Sequence, residues 1–170
     1  MLNLSGIVSD SIVDGPGIRV SVFSQGCPHH CPGCHNPETW AFGCGTPMEE
    51  EEVAKIVAEN PLCRGVTFSG GEPFAQPEGF AKLAKLLKGK GYEVASYSGY
   101  TFEQLLAGNP EQKQLLQAID VLIDGPFQLE KKSLELKFRG SKNQRILDVP
   151  ASLRAGEAVE ITTGRWAGEY

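Results

Sequence analysis

The sequence predicts an α/β fold, a partial, open (β/α) barrel of parallel strands that holds residues 1–170 in a single domain. Short runs rich in β-branched and aromatic residues alternate with amphipathic helical segments, the order that parallel strands with helical crossovers require. A closed barrel of eight such units usually takes about 250 residues. This chain of 170 residues contains four evident units, so we expect the barrel to stay open along one side.

Four strands support this prediction, and each is followed by a loop of unusual composition. They are expected at residues 18–23 (IRVSVF), 65–68 (GVTF), 92–97 (YEVASY) and 119–123 (IDVLI), with further strands at 145–149 and 158–162. The carboxyl ends of parallel strands share one edge of a sheet, and ligands of α/β proteins bind at that edge. We therefore expect the four loops to lie together on one rim.

The helices between these strands are predicted from capping residues and apolar stripes. A helix over residues 77–87 has its apolar residues on one stripe and is followed by two glycines that end it. Three more helix starts combine a capping residue with a proline, glutamate or glutamine: Thr46-Pro47-Met48-Glu49, Thr101 with Gln104, and Asn109-Pro110.

Composition excludes two classes of partner. The formal net charge of −5 argues against a nucleic-acid ligand, because nucleic-acid binders use clustered lysine and arginine to displace counterions. No segment approaches the roughly 20 apolar residues of a membrane span, and the N-terminus lacks the pattern of a signal peptide. Five cysteines, three of them crowded together, fit a reducing compartment and metal ligation better than a disulfide framework. We expect a cytoplasmic protein.

The three crowded thiols follow the first predicted strand, at Cys27, Cys31 and Cys34. Their C-x3-C-x2-C spacing differs from the C-x2-C pairs of zinc ribbons and from the ferredoxin runs that supply four thiolates. Three thiolates can hold three irons of a cubane cluster, which leaves the fourth iron open to a substrate or cofactor.

The alternative for this loop is a structural zinc completed by a histidine. The candidates for that fourth ligand are His29, His30 and His35. His29 and His30 are also candidates for tuning a cluster by hydrogen bonds, or for exposed loop residues with no role. Cys44 is a possible fourth thiolate, but it lies ten residues downstream of Cys34. Both remaining thiols, Cys44 and Cys63, are therefore expected to be small apolar fillers of the core.

The loop after the second predicted strand, SGGEP, places two glycines before a carboxylate, at Gly70, Gly71 and Glu72. Alone, this sequence is equally typical of a turn. Because it is expected on the same rim as the thiols, exposed backbone and a carboxylate there would suit a ligand that carries a charged amine.

These motifs resemble a known family. The stretch VDGPGIRVSVFSQGCPHHCPGCHNPETW is similar to the glycyl-radical-enzyme activases of the radical S-adenosylmethionine (SAM) superfamily, and the resemblance spans roughly residues 13–146. The later sequences SGGEP, YSGY, VLIDGPF and FRGSKNQR resemble the activases of anaerobic ribonucleotide reductase. Many superfamily members have an aromatic residue before the third cysteine, whereas Gly33 here matches that activase group.

The resemblance implies a fold of the radical SAM type and two cofactors. A 4Fe-4S cluster would be held by Cys27, Cys31 and Cys34, with the amino and carboxylate groups of SAM on the fourth iron. In that family one electron from the reduced cluster cleaves SAM, and the resulting 5′-deoxyadenosyl radical takes a hydrogen atom from a glycine of a partner enzyme. The cofactors supply the chemistry, and the protein orients and shields them.

The same resemblance assigns residues to SAM. Gly70, Gly71 and Glu72 would meet its methionine end. Backbone groups of Gly33, Cys34 and His35 would meet the adenine. Ser98 and Asp124 are candidates for its carboxylate or ribose.

The implied partners are an anaerobic ribonucleoside-triphosphate reductase, as the protein that receives the radical, and an electron donor such as flavodoxin or ferredoxin. The alternatives are an activase of another glycyl radical enzyme, of the pyruvate formate-lyase type, a small radical SAM enzyme acting on a small molecule, or an iron–sulfur electron carrier. A carrier has no use for a cofactor-binding loop, and a small-molecule enzyme needs more enclosure than 170 residues provide.

Two segments permit more than one reading. Residues 13–19 (VDGPGIR) are either a turn between strands or part of the wall beside the cluster. Residues 139–145 (RGSKNQR) are expected to form a solvated loop, with contact to SAM or to the partner as the alternative.

Overall fold

The computed structural model describes residues 1–168 and shows one seven-stranded mixed sheet with helices packed against it. The strands follow the spatial order β3-β1-β2-β4-β5-β6-β7. Their bounds are β1 Leu2–Ser11, β2 Arg19–Ser24, β3 Thr46–Met48, β4 Gly65–Gly70, β5 Glu93–Tyr97, β6 Val121–Asp124 and β7 Arg145–Asp148.

The four central strands are parallel, in the order β2-β4-β5-β6, and the flanking strands β1, β3 and β7 run antiparallel to their neighbours. The outermost strands, β3 and β7, do not pair with each other. The prediction of an open α/β sheet of parallel strands is therefore confirmed. The antiparallel pairing of the flanking strands was not predicted.

Five α-helices accompany the sheet in the described part of the chain. They are α1 Glu50–Ala58, α2 Pro77–Gly89, α3 Phe102–Leu106, α4 Pro110–Ala118 and α5 Val149–Ala155. Thr101 and Gln104 form the predicted capping box at α3, and Asn109 caps α4 through its side chain. Within residues 1–168, no helix has the length and apolar character needed to cross a membrane.

Two predictions at the ends of elements are wrong. Thr46 does not cap α1, because Thr46–Met48 instead pairs with the start of β1 as an edge strand, and the helix begins after Glu49. An edge strand tolerates Pro47, since its missing N–H is not needed by a second neighbour. Residues 158–162 form no strand, and only an isolated bridge joins Leu147 to Glu160. The N-terminal strand β1 was not predicted.

The sheet buries apolar residues on both faces, which explains the continuous apolar runs of its central strands. One face packs against the helices in the main core, where Phe68, Phe80 and Leu122 are fully buried. The other face holds a smaller cluster that includes Ala95 and Ile123. Alternate residues of β5 and β6 thus point to different cores.

The four unusual loops meet on one rim, as predicted. Ser24 at the end of β2 pairs with Gly70 at the end of β4, and Tyr97 at the end of β5 pairs with Ile123 of β6. The loops after these strands therefore leave the sheet side by side, and together they enclose a cavity.

Candidate functional site

The cavity at this rim has a volume of about 630 Å³ and is lined by all four loops. Each loop contributes at least one residue: Cys27 after β2, Gly71 after β4, Ser98 after β5 and Gly125 after β6. The site is thus built at the carboxyl ends of the parallel strands, where the fold places ligands.

The cysteine loop has little regular structure and is fixed by backbone hydrogen bonds to the segment that follows it. Gly26 N donates to Thr39 O (2.6 Å) and Cys27 N donates to Trp40 O (3.0 Å). These two carbonyls belong to the last residue and the C-cap of a single 3-10 turn, Pro37–Thr39. The HNPETW sequence therefore closes the loop and sets the position of the first cysteine.

Cys27, Cys31 and Cys34 all line the cavity as free thiols. In the described residues no group of three cysteine and histidine ligand atoms lies within 4.8 Å of one another. A single tetrahedral zinc, with sulfur ligands about 2.3 Å from the metal, needs such a convergent group. The three thiols instead border a space, an arrangement that suits a larger multi-iron group.

The other two thiols lie elsewhere. Cys63 is buried in the main core and donates to Gly65 O (3.1 Å), as expected. The expectation that Cys44 fills the core is wrong: it is exposed and contacts only Phe42 O (3.6 Å). Gly43, the residue before it, lies in an exposed turn with no atom within 4 Å of the place a Cβ would take. Neither thiol lines the cavity, so the cysteine set there has three members.

Burial raises the pKa of the Cys27 and Cys31 thiols above the ordinary value. Both thiols are therefore protonated at neutral pH without a metal. A bound iron would displace these protons, because the thiolate is the form that ligates metals.

The two glycines of SGGEP lie against the cysteine loop itself. Gly70 has φ +90°, and a Cβ there would lie 2.6 Å from Ser24 N. A Cβ on Gly71 would collide with the carbonyl oxygen of Gly26. Gly71 N donates to Ser24 O and Glu72 N to Gly26 O, both at 2.8 Å. Close backbone approach is therefore needed here, and its immediate partner is protein.

Glu72 is fully buried, and its carboxylate accepts four hydrogen bonds. Oε1 accepts from His29 Nε2 (2.6 Å) and Gly99 N (2.7 Å), and Oε2 accepts from Ser98 Oγ (2.9 Å) and Phe74 N (3.1 Å). His29 lies between the first two cysteines and also packs edge-on against Tyr100. The carboxylate thus joins the loops after β2, β4 and β5.

The remaining predicted SAM residues fall into two groups. Cys34, His35 and Ser98 line the cavity. Gly33 and Asp124 do not. Gly33 has φ +77°, and a Cβ there would lie 2.8 Å from Leu129 Cδ1, which accounts for glycine before the third cysteine.

Asp124 is buried behind the cavity wall. Its carboxylate accepts hydrogen bonds from Phe102 N (2.8 Å) and Arg145 Nε (3.0 Å). These bonds fix the start of α3 and the start of β7 to the end of β6. Its position makes it a support for the wall.

Sequence reasoning missed several residues of the cavity. Phe127 packs edge-on against His35, with ring centroids 5.3 Å apart, and Trp40 stacks on His30 at 4.5 Å. Arg139 and Gln144 also line the cavity. The expectation that residues 139–145 form a solvated loop is wrong. The alternation of apolar and polar residues from Leu134 to Arg139 (LELKFR) was the available signal.

The fold and the three-cysteine loop define the class of the protein. The family of 4Fe-4S single cluster domains matches residues 13–147, which include every loop of the cavity.

The chain is also similar to named relatives. It is 38% identical over 144 residues to the anaerobic ribonucleoside-triphosphate reductase-activating protein of Pasteurella multocida, covering 79% of this chain and 90% of that protein. The protein of the same name from Escherichia coli K12 is 34% identical over 142 residues, covering 78% and 90%. A pyruvate formate-lyase-activating enzyme of Clostridium pasteurianum is 40% identical over 115 residues, covering 62% of this chain and 48% of that enzyme.

The chain therefore belongs to the 4Fe-4S single cluster family and, within it, to the group of anaerobic ribonucleoside-triphosphate reductase-activating proteins. The family prediction and the cluster prediction from the sequence are confirmed.

Proposed function

We propose that this protein is a radical SAM activase that installs a glycyl radical on an anaerobic ribonucleoside-triphosphate reductase. The observation that carries the proposal is a cavity beside a glycine-rich loop that is lined by three free thiols and, within residues 1–168, by no other cysteine. A cluster held by three thiolates keeps one iron open. The names of the relatives, which align over 90% of their length, support this reductase as the partner.

The residues of the cavity have distinct roles in this proposal. Cys27, Cys31 and Cys34 would hold the cluster. Backbone at Gly70 and Gly71, the Ser98 hydroxyl and backbone at Cys34 and His35 would hold SAM, since these groups border the cavity. When bound, the two cofactors together supply one-electron chemistry that removes a hydrogen atom from a carbon.

Three residues would support the site without contacting SAM, because they hold other residues of the site in place. They are Glu72, Gly33 and Asp124. Glu72 holds His29 and the backbone at Gly99, so it fixes the cysteine loop against the wall formed by β5. Gly33 lets the loop turn before Cys34. Asp124 braces the end of β6 through Arg145.

We propose that a single domain spanning residues 1–170 carries out this work, with a flavodoxin or ferredoxin as electron donor, in the reducing cytoplasm. Residues 169–170 lie outside the described part of the chain. All five cysteines are free, which supports a reducing compartment.

The macromolecular partner is also supported by the exposure of the cavity rim. Val13 and Leu134 line the cavity, yet they are 71% and 90% exposed. Exposed apolar side chains at the mouth of a site are typical of a surface that another protein covers. A glycine on an extended loop of the reductase could enter here, since glycine has no side chain to obstruct its Cα hydrogens.

The test is anaerobic incubation of the reconstituted protein with the reductase, SAM and a reductant, followed by electron paramagnetic resonance. We expect a doublet signal on the reductase that collapses to a singlet when its glycine is deuterated at Cα.

A second candidate is activation of a pyruvate formate-lyase, which the Clostridium pasteurianum relative favours. The same assay, with pyruvate formate-lyase in place of the reductase, distinguishes the two candidate partners. A signal on pyruvate formate-lyase but none on the reductase would reject the partner and retain the chemistry. No SAM cleavage by the reduced protein would reject both.

A further inference from the structure

One wall of the cavity is formed by residues 138–144, the last part of the segment that joins β6 to β7. Arg139, Gly140 and Gln144 of this segment line the cavity. Among the described residues that do so, Arg139 is the only arginine or lysine. Within residues 1–168, the only carboxylate lining the cavity is that of Asp14, whose Oδ2 already accepts from Ser11 Oγ (3.0 Å) and Ser21 Oγ (2.7 Å).

The backbone before Arg139 is held in an uncommon conformation. Phe138 has φ +62°, the left-handed region that bulky residues rarely adopt. Its carbonyl accepts from the Tyr97 hydroxyl (2.7 Å), and its ring packs edge-on against Trp166 (5.4 Å). These contacts fix the direction in which the chain enters Arg139.

The backbone after Arg139 is held equally firmly. The side chain of Gln144 accepts from Gly140 N (2.8 Å) and donates to Gly125 O (3.1 Å) at the end of β6. Arg139 Nη1 donates to Gln144 O (3.0 Å). The segment is therefore held by hydrogen bonds on both sides of Arg139, and it presents one guanidinium to the cavity.

That guanidinium lacks an anionic partner within residues 1–168. Its Nε is buried and has no acceptor, and the arginines that form ion pairs are Arg19 and Arg145. The side chain as a whole is half-buried, and leaving its enclosed N–H without an acceptor is costly. A positive group held in this way indicates that an anionic ligand belongs beside it.

We propose that Arg139 binds the carboxylate of the methionine part of SAM, an inference that rests on the proposed function. The carboxylate is the only anionic group of that cofactor, and the planar guanidinium matches it with paired hydrogen bonds. Arg139 would then recognise the methionine part of SAM through its carboxylate.

The test compares two ligands on the cluster-loaded protein by equilibrium dialysis under anaerobic conditions. The ligands are SAM and decarboxylated SAM, which retains the sulfonium and the amine. We expect Arg139→Gln to weaken SAM binding about 10- to 100-fold. Its effect on decarboxylated SAM should stay within about threefold, because the lost contact involves the missing group.

Two further variants complete the experiment. Lys142→Gln removes a positive charge from an exposed residue of the same segment, outside the cavity, and should leave both affinities unchanged. Arg139→Lys retains the charge without the paired geometry, so its loss of SAM affinity should be intermediate. If Arg139→Gln fails to load iron, the affinities of Arg139→Lys for SAM and for decarboxylated SAM are compared instead, and they decide whether the carboxylate contact exists.

Equal losses for both ligands in the Arg139 variants would overturn the inference. So would unchanged SAM affinity with impaired reductase activation, which would place Arg139 at the protein partner. A wild-type protein that binds neither ligand would instead overturn the proposed function, and the inference with it.

Discussion

Glu72 offers the sharpest test of how the site is held together, because two roles for it predict different results. As a ligand of SAM, its loss would reduce cofactor affinity and leave the protein intact. If Glu72 instead acts through the four hydrogen bonds that its carboxylate accepts, its loss would loosen the loops after β2, β4 and β5. Glu72→Gln keeps the size of the side chain and removes two of its acceptor positions.

The magnitude follows from the contacts. The amide –NH2 must face one donor pair, either His29 and Gly99 or Ser98 and Phe74. The Ser98 hydroxyl can rotate to accept, so one backbone donor and part of the charge-assisted bonding are lost. Hydrogen bonds to charged groups contribute about 1.5–3 kcal/mol each, and an unpaired buried donor costs about 1–3 kcal/mol. We expect a destabilisation of about 3 kcal/mol, a large part of the stability of an ordinary domain.

For a chain of this size, about 3 kcal/mol lowers the melting temperature by roughly 6–12 °C. The assay is thermal unfolding of the apoprotein followed by circular dichroism, together with the iron content after anaerobic reconstitution. Glu130→Gln, at an exposed position, is the matched control and should behave as the wild type. An unchanged melting temperature and iron content with reduced SAM affinity would refute the assignment of Glu72 as a support.

Three further predictions concern the same site. Cys27→Ala, Cys31→Ala and Cys34→Ala should each abolish reconstitution of about four irons per chain, whereas Cys44→Ala and Cys63→Ala should retain it; stoichiometric zinc without iron in the wild type would contradict this. Gly71→Val should lower iron content as well as SAM cleavage, because its Cβ meets the backbone of Gly26; full iron loading in this variant would show that the loop tolerates the side chain. Burial, assisted by the nearby Asp14 carboxylate, raises the pKa of Tyr97 far above its ordinary value of 10.0. The folded protein therefore keeps this phenol protonated, and stability present below pH 10 should fall as the pH rises beyond it. Tyr97→Phe should flatten this alkaline decline in urea-unfolding experiments, and an unchanged slope would exclude Tyr97 as its source.

The sequence was sufficient for the central sheet and for the place of the site. Strands β2, β4, β5 and β6 each combine β-branched residues with a following loop of glycine, proline or cysteine, so both the strands and their shared rim could be predicted. The C-terminal ends of β2, β4 and β6 were predicted one or two residues too early, because these strands continue into the polar start of the following loop, whereas the end of β5 at Tyr97 was predicted correctly.

The edges of the sheet were harder to predict because long-range pairing decides them. Thr46-Pro47-Met48-Glu49 carries a helix-start signal, yet Leu2 and Leu4 pair with this stretch and draw it into the sheet. Local capping contributes only about 1 kcal/mol, which pairing with the start of β1, where Leu2 and Leu4 are buried, outweighs. Residues 158–162 have β-branched residues, but they meet β7 only at one bridge.

In the site, sequence patterns identified the thiols and glycines, but not the hydrogen bonds that hold their loops in place. Nothing in the letters HHC or GEP indicates that His29 and Glu72 meet, since 43 residues separate them. Likewise, residues 139–145 are polar because Gln144 and Arg145 bond to buried partners, and composition alone cannot distinguish such a segment from a solvated loop.

The cysteine loop and the SGGEP loop behave as one structural unit, and this affects how their roles can be separated. Gly26 bonds to both Thr39 and Glu72 through its backbone, and His29 bonds to the Glu72 carboxylate. A substitution in either loop will therefore change iron content and cofactor affinity together. Arg139 lies on a third wall, fixed through Tyr97 and Gln144 rather than through the cysteine loop. Since that wall makes no bond to Gly26, Glu72 or His29, cofactor affinity can be varied there while the cluster loop stays intact.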